Sequence, residues 1–293
     1  MKIIETKNLT KYYLRGAVVG VKNLDLEVSQ GEVFGYIGPN GAGKTTTIRL
    51  LLDIIRPTSG SAEIFGKPIC GNNKEIHQEI GYLPGEIFLS EQLTGKELIN
   101  YYRRFKNNID NKYLKDLILR LGLDVNKKIS QYSKGNKQKL AITLALMHKP
   151  KLLLLDEPTS GLDPLNQHEF YKVLAEAKQF GTTIFLSTHI LSEAEKICDR
   201  VGIIKSGQLL KIENIDDFRH KNIREVHIVS SETLTREKLN LDLIKEFKKI
   251  DGGYHLITAG QIGPLIKILA KYNIDDLTIT EPSLEEIFMK FYK

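Results

Sequence analysis

Cysteine and long apolar runs are both scarce in this sequence. Its two cysteines among 293 residues, Cys70 and Cys198, lie far apart and form no CxxC, so the pattern indicates neither a zinc site nor a disulfide framework. The longest apolar runs, AITLALM and LLLL, fall well short of the roughly 18 residues that a membrane-spanning helix needs. The N-terminal MKIIETKNLT reaches a charge too early for a signal-peptide core. We therefore expect a cytoplasmic chain with reduced cysteines, whose role at a membrane would come through a partner.

Internal repeats and low-complexity tracts are also lacking. Hydrophobic residues make up 41% of the chain and charged residues 27%, which is typical of a folded globular protein. The length allows one large domain or two. A net charge of +6 suits an anionic partner such as a nucleotide, a nucleic acid or a membrane surface. Solubility alone explains that charge equally well.

Strand and helix patterns alternate through the first 215 residues. Short strands are predicted before residue 30, followed by buried strands at GEVFGYIG, KLLLLDEP and TTIFLSTH. Helical patterns include TTIRLLLDII, NQHEFYKVLAEAKQF and a mostly helical segment over about 89–147, where Thr94 and Glu97 form a capping-box pattern. This alternation predicts an α/β fold with a largely parallel sheet.

The composition shifts after about residue 213. REVHIVS, LIKEFKKI, GYHLIT and DDLTIT have strand patterns, with IDGGY as a hairpin turn. IGPLIKILAKY and PSLEEIFMKFY have helical patterns. We predict a small α+β domain over 216–293, ferredoxin-like in type. It could extend dimer contacts, dock on a partner, regulate, or only stabilise the chain.

GPNGAGKTT matches GxxxxGK[ST] in full, with a predicted strand before it and a predicted helix after it. Its glycines let backbone N–H groups converge on phosphate oxygens at a helix N-terminus. Lys44 can reach the β- and γ-phosphates, and the Thr45 hydroxyl can ligate Mg²⁺. The predicted phosphate-binding residues are Gly38, Pro39, Asn40, Gly41, Ala42, Gly43, Lys44, Thr45 and Thr46.

Two adjacent carboxylates end the predicted strand LLLLD. Asp156 suits the Mg²⁺ shell, and Glu157 suits a general base that polarises the attacking water. Without the phosphate motif, two solvated acids before Pro158 would be the better interpretation. His189 ends the strand TTIFLSTH, where a lone histidine is more often a surface or capping residue. Beside a nucleotide it could instead contact the γ-phosphate.

In this order and spacing, GPNGAGKTT, YSKGNKQ, LLLLDEP, SGLD and STHILSEAEKICDRV resemble the ATP-binding subunits of ABC transporters, over roughly residues 1–215. The resemblance implies a P-loop NTPase cassette with a parallel core, an antiparallel β subdomain and a helical subdomain. It implies hydrolysis of ATP with Mg²⁺. The signature and the ending EPSLEEIF look most like the subgroup paired with ABC-2-type exporters of peptide antibiotics, polyketide drugs or sodium.

The resemblance also implies roles for single residues. Tyr13, or its neighbour Tyr12, matches the aromatic that stacks on adenine, and SGLD (Ser160, Gly161 and Asp163) matches the loop between the two nucleotide sites of a dimer. The signature residues expected at the nucleotide are Ser133, Gly135 and Asn136. In the family, phosphate loop and signature face different nucleotides. A second copy of this chain is therefore the expected partner, together with a membrane permease that docks on about 89–122.

Two departures from the family pattern stand out. Gly85, followed by Glu86, occupies the position of the usual glutamine after GYLP. Either Glu86 substitutes, a water fills the gap, or coupling at this loop is weaker. Lys134 replaces the first glycine of the LSGGQ signature, and Asn136 replaces its glutamine. We expect activity to survive both changes.

A soluble ABC-type ATPase acting on nucleic acid or ribosomes is the alternative. Relatives of that kind usually have tandem cassettes, long coiled coils or zinc-binding cysteine pairs, and this sequence shows one cassette and none of these features. We therefore expect no nucleic-acid partner and a location on the inner face of the cell membrane. The transported substrate is not readable from this chain.

Overall fold

A computed structural model describes residues 1–71, 73–106, 109–216, 223–239 and 242–280. The chain forms two compact units, Met1–Glu213 and Asn214–Lys293. The boundary predicted from the sequence lies two residues further along. Each unit has its own hydrophobic core.

The first unit contains ten strands among its described residues. They are β1 (Lys2–Tyr13), β2 (Val18–Ser29), β3 (Val33–Ile37), β4 (Ser59–Ile64), β5 (Lys67–Pro68), β6 (Ile80–Leu83), β7 (Leu152–Asp156), β8 (Thr183–Thr188), β9 (Arg200–Lys205) and β10 (Gln208–Asn214). Its helices are α1 (Lys44–Leu51), α2 (Lys74–Gln78), α3 (Gly95–Arg103), α4 (Asn111–Arg120), α5 (Lys134–Leu146), α6 (Pro164–Gln179) and α7 (Leu191–Ile197).

A six-stranded sheet forms the centre of this unit, in the order β10-β9-β3-β8-β7-β6. The pairings of β3 with β8 and β9, and of β7 with β6 and β8, are parallel. Every residue of β3, β7 and β8 is buried, which explains why these strands appear in the sequence as continuous apolar runs. The predicted parallel core is confirmed.

A second, antiparallel sheet has the order β2-β1-β4-β5. Its first two strands are not short, as the sequence suggested, but twelve residues each. Register shifts along the β1–β2 pairing bend the long strands. These irregularities interrupt the alternating pattern, so the sequence suggested several shorter pieces.

The helical segment 89–147 contains α3, α4 and α5 around its own hydrophobic cluster. The predicted capping box is present: the Thr94 side chain accepts from the Glu97 amide, and the Glu97 carboxylate accepts from the Thr94 amide. Helix α1 is shorter than its apolar pattern predicted, because Asp53 adopts a left-handed conformation with φ of 56°. The helical period therefore stops at Leu51 although apolar residues continue.

Lys106 joins this helical segment to the strand β6. Its ammonium donates to the carbonyls of His77 at 2.8 Å and Ile80 at 2.9 Å, and its burial lowers its pKa to about 8. The His148 ring lies 3.2 Å from the same Ile80 carbonyl, and burial lowers its pKa to about 4. Both groups are half-buried where the helices meet the sheet.

The second unit contains β11 (Ile223–Ser230), α8 (Arg236–Leu239), β12 (Ile244–Ile250), β13 (Gly253–Ala259), α9 (Gly263–Leu269) and β14 (Ile274–Thr280). The sheet order is β12-β13-β11-β14. This βαββαβ arrangement is the predicted ferredoxin-like topology. The predicted helix PSLEEIFMKFY and the ending EPSLEEIF lie outside the described residues.

Candidate functional site

The phosphate loop runs from the end of β3 into the first turn of α1. Gly43 has φ of +109°, and a Cβ there would lie 2.2 Å from the Gly20 carbonyl oxygen. A Cβ on Gly38 would lie 2.3 Å from the Ile204 carbonyl oxygen. Two backbone segments therefore pack directly against the loop, and only glycine fits at these two positions.

Lys44 lies at the head of this loop and is only 5% exposed. Its ammonium donates to the carbonyl oxygens of Gly38 at 2.8 Å and Pro39 at 3.2 Å. It also lies 3.4 Å from Glu157 Oε1. A buried cation held in this way provides positive charge where the loop amides converge.

Thr45 and Asp156 meet at the carboxyl end of the parallel sheet. The Thr45 hydroxyl donates to Asp156 Oδ2 at 2.7 Å, and the Ser187 hydroxyl donates to Asp156 Oδ1. Asp156 is 2% exposed, and these two hydrogen bonds hold its carboxylate by both oxygens. Hydroxyl and carboxylate oxygens are the ligands that Mg²⁺ takes from proteins, and this pair fits such an ion.

Glu157 has a left-handed backbone, with φ of +47°, which is uncommon for a residue other than glycine. Its amide donates to the Ser187 carbonyl at 3.1 Å, and this bond anchors the turn after β7. The side chain lies between two nitrogen groups: Oε1 is 3.4 Å from Lys44 Nζ and 3.2 Å from His189 Nδ1. Backbone strain of this kind gathers at functional sites because the surrounding structure must hold it.

His189 follows the last residue of β8, and 47% of its side chain is exposed. The parallel register pairs Ile37 with Thr188 and Asp156 with Ser187, so the three strand ends are aligned. The sequence-predicted Lys44, Thr45, Asp156, Glu157 and His189 therefore meet at one edge. This is the crevice in which open α/β sheets bind ligands.

Tyr13 lines a cleft of about 240 Å³ above the phosphate loop. Its hydroxyl lies 3.3 Å from the Thr46 hydroxyl, and Lys11 Nζ lies 5.5 Å from the centre of its ring. The cleft is lined by Tyr13, Val18, Val19, Gly20, Asn40, Gly41, Gly43, Lys44, Thr45, Thr46 and Glu157. Tyr12, the alternative from the sequence, is not among these residues.

Gly85 and Glu86 line a neighbouring cavity of about 360 Å³, together with Thr45, Asp156 and Glu157. A Cβ on Gly85 would lie 3.3 Å from Asp156 Oδ2. A side chain at position 85 would therefore begin beside the carboxylate. Glycine leaves that space open, and Glu86 is among the residues that line the cavity.

The signature segment begins the helix α5, with Ser133 as its N-cap. The Ser133 hydroxyl accepts from the Asn136 amide at 3.2 Å. Ser133, Gly135 and Asn136 are not among the residues that line the cleft above the phosphate loop. Within one chain, the structure does not bring these two groups of predicted residues together.

Lys134, one of the two signature departures, lies across the SGLD loop. Its ammonium is 3.4 Å from the Ser160 hydroxyl. A Cβ on Gly161 would lie 3.1 Å to 3.2 Å from three carbons of the Lys134 stem. The lysine therefore couples the signature to SGLD through direct packing. Asp163 caps α6 by accepting from the Asn166 amide at 3.0 Å, and this bond holds the Asp163 pKa below its usual value.

Three residues that the sequence analysis did not single out hold the site together. Ser187 fixes Asp156, and buried Gln138 donates to the Pro158 carbonyl at 2.6 Å. Buried Glu193 accepts hydrogen bonds from Thr159 and Thr188, which joins the chain after Glu157 to the end of β8. Glu193 and Gln138 are polar residues in helices that also bury apolar side chains. That pattern is the sequence signal that could have identified them.

Another cavity, of about 590 Å³, lies away from this edge. It is bordered by Met1, Ile3, Gln30, Phe65, Lys67, Glu75, Ile76, Gln78, Glu79, Lys151, Gly181 and Thr183. None of the predicted phosphate, carboxylate or signature residues lines it. Size alone does not mark the reactive site in this molecule.

Comparison with known proteins identifies the family. A family profile described as ABC transporter matches residues 21–160. The bacitracin transport ATP-binding protein BcrA of Bacillus licheniformis is 40% identical, over 98% of this chain and 96% of the relative. The protein belongs to the ATP-binding subunits of ABC transporters. The BcrA protein of Enterococcus faecalis is 32% identical to this ATP-binding subunit, over 98% and 96% of the two chains.

Solved structures agree with this assignment. The structure of an ATP-binding subunit of an ABC transporter is 32% identical, with a TM-score of 0.69 over 74% of this chain and 92% of the other. The dimeric post-hydrolysis state of the ATP-binding cassette MJ0796 bound to ADP and Pi is 25% identical, with a TM-score of 0.67 over 73% and 99%. This ABC subunit is therefore an ATPase that binds ATP. Among its described residues, no helix is both long and apolar enough to cross a bilayer.

Proposed function

We propose that two copies of this ATPase enclose two ATP molecules, each held by the phosphate loop of one copy and the signature of the other. One observation carries this proposal: the cleft above the phosphate loop contains none of the signature residues of its own chain. Ser133 begins the thirteen-residue helix α5, whose first-turn amides and dipole favour an anion. A partner copy supplies the phosphate that this end would meet.

In each site we assign Lys44 to the β- and γ-phosphates and Tyr13 to the adenine. The loop Gly38–Thr46 supplies backbone amides. Thr45 and Asp156 would hold Mg²⁺, which when bound would neutralise charge that develops on the phosphate oxygens. The 2.7 Å contact between the Thr45 hydroxyl and Asp156 Oδ2 supports that assignment, because both oxygens already converge.

We assign Glu157 as the base that polarises the attacking water, and His189 as the contact to the γ-phosphate. The Lys44 and His189 nitrogens hold the Glu157 carboxylate at the edge of the cleft. This contact supports a fixed carboxylate orientation, which a general base needs. Ser133, Gly135 and Asn136 of the partner copy complete the phosphate contacts.

We further propose a membrane permease of the ABC-2 type as the third partner, on the inner face of the cell membrane, with transport outward. Two relatives of nearly full length are named for bacitracin transport, which supports a peptide antibiotic of this kind as the cargo. The segment 89–122 is the proposed docking face. Its exposed aromatic side chains support this, namely Tyr101, Tyr102 and Phe105, with Phe88 just before it.

The first test uses Glu157→Gln, which keeps the shape of the side chain and removes the base. With ATP and Mg²⁺ this variant should be a dimer in light scattering, because uncleaved ATP stays between the copies. The double variant Glu157→Gln with Ser133→Arg should remain monomeric, since the arginine side chain blocks the signature. A monomeric Glu157→Gln protein under these conditions contradicts the proposed dimer.

The second test is gentle purification from membranes, followed by mass spectrometry. A co-purifying membrane protein of the ABC-2 type supports the proposed permease. If nucleic acid stimulates ATP hydrolysis and no membrane protein co-purifies, the chain acts instead on nucleic acid or ribosomes.

A further inference from the structure

The second unit contains a group of metal-ligating side chains that the ATPase does not use. Glu225 and His227 lie on β11, and His255 lies on β13. One ligand atom from each of these residues lies within 4.8 Å of the other two. Among the residues that the structure describes, no other three His, Cys, Asp or Glu side chains meet in this way.

The strand geometry puts all three donors on one face. Glu225 and His227 are two residues apart on a strand, so their side chains point the same way. His227 pairs directly with His255 in the antiparallel register, and the two rings have centres 4.6 Å apart. His255 Nε2 lies 3.5 Å from Glu225 Oε1.

The positions of these residues are set by the core of the unit. Strands β11 and β13 are the two inner strands of the sheet. Val226 and Ile228 on β11 and Leu256 on β13 alternate with the three donors and are fully or almost fully buried. A shift of register would expose this core, so the donors stand on a rigid support.

We propose that Glu225, His227 and His255 bind one divalent cation of the zinc class. Imidazole nitrogen and carboxylate oxygen are the donors that such ions share, and a three-ligand site leaves the fourth tetrahedral position to water. With metal–ligand distances of about 2.0–2.1 Å, two donors of a tetrahedron are separated by about 3.3 Å. The 3.5 Å between His255 Nε2 and Glu225 Oε1 is close to that separation.

One lysine of the neighbouring strand stands opposite these donors, and its charge is paired. Lys248 on β12 stands opposite His255, and it forms an ion pair with Glu246 on the same strand. The three donor residues differ in exposure: Glu225 is buried, His255 is half-buried and His227 is exposed. A cation can therefore enter from the side of His227 without opening the core.

The test is zinc binding by the full chain in a Cys70→Ser background, which removes the exposed thiol. Metal-free protein is titrated with Zn²⁺ against a chromogenic chelator, in excess Mg²⁺ so that the oxygen ligands of the ATP site do not compete. One tight site per chain is expected. His227→Gln and His255→Gln should each weaken it by about 10- to 100-fold or more.

His227→Gln is the informative variant, because the side chain is exposed and its loss leaves the core intact. His168→Gln, on α6 in the other unit, is the matched control and should not change zinc affinity. Zinc should also raise the unfolding temperature of the parent and not that of His227→Gln. The proposal is overturned if the parent does not bind zinc tightly, if Mg²⁺ displaces the zinc, or if His227→Gln and His255→Gln bind zinc as tightly as the parent does.

Discussion

The phosphate loop and the signature segment are both lysine-containing turns that begin a helix, yet they are built in opposite ways. Lys44 is buried and bonded to two carbonyls and a carboxylate of its own chain. Lys134 is exposed and touches only the SGLD loop among the contacts described. The first segment is organised by its own chain. The second packs against the SGLD loop, and the N-terminus of its helix faces outward. This is expected of an element that contacts another molecule.

The largest expected effect is on the side of the site that holds the phosphate loop. Glu157→Gln should lower ATP hydrolysis by about 10²- to 10⁴-fold while ATP still binds, because the base is lost and the phosphate contacts remain. Glu86→Gln is the matched control on the neighbouring cavity, measured by phosphate release. A comparable fall with Glu86→Gln would move the base from Glu157 to Glu86.

Removing the lysine charge from the phosphate loop or from the signature should separate ATP binding from assembly of the dimer. Lys44→Met should weaken ATP binding by about 100-fold, because a charge-assisted contact is lost in a buried site. Lys134→Met should leave ATP binding to the single chain unchanged. Titration with a fluorescent ATP analogue measures both. Equal losses in the two variants would show that both lysines contact the same nucleotide within one chain.

Mixing defective copies sharpens the comparison further. Lys44→Met and Ser133→Arg proteins should each be inactive alone. Only mixed dimers contain an intact composite site, one out of two, so mixing should restore activity to at most about half of the parent value. A mixture as inactive as its components would contradict composite sites that work independently.

The smallest expected effect concerns the hydrogen bond that joins the signature helix α5 to the chain after Glu157. Gln138→Ala should lower the free energy of unfolding by about 1–3 kcal/mol, because the buried Pro158 carbonyl loses its partner. Gln131→Ala, at an exposed position before the same helix, is the control. Chemical denaturation followed by circular dichroism measures both. A smaller loss in Gln138→Ala than in Gln131→Ala would mean that this bond does not hold the signature helix.

Much of the first unit could be predicted from the sequence, because each ligand position directly follows a buried strand. Parallel strands bring their carboxyl ends to one edge, so the phosphate loop after β3, Asp156 at the end of β7 and His189 after β8 had to lie near each other. The capping box at Thr94 and the succession of strands along the second unit follow from equally local signals.

Other features depend on strand order and register, which the sequence does not state. Ser187 contacts Asp156 because β7 and β8 are neighbours with these two residues paired. The His227–His255 pair likewise requires β11 to lie beside β13. The early end of α1 at Leu51 depends on the left-handed backbone of Asp53. The spacing of apolar residues in the sequence does not indicate that conformation.

The left-handed backbone of Glu157 has a consequence for engineering. Asparagine or glycine tolerates φ of +47° better than glutamate, by about 1 kcal/mol for glycine, so either would relieve local strain. A screen that rewards heat resistance alone would therefore favour replacing the residue to which we assign the proton-accepting role. Stability and turnover compete at this single backbone angle, and a thermostable variant of this subunit must gain its stability elsewhere.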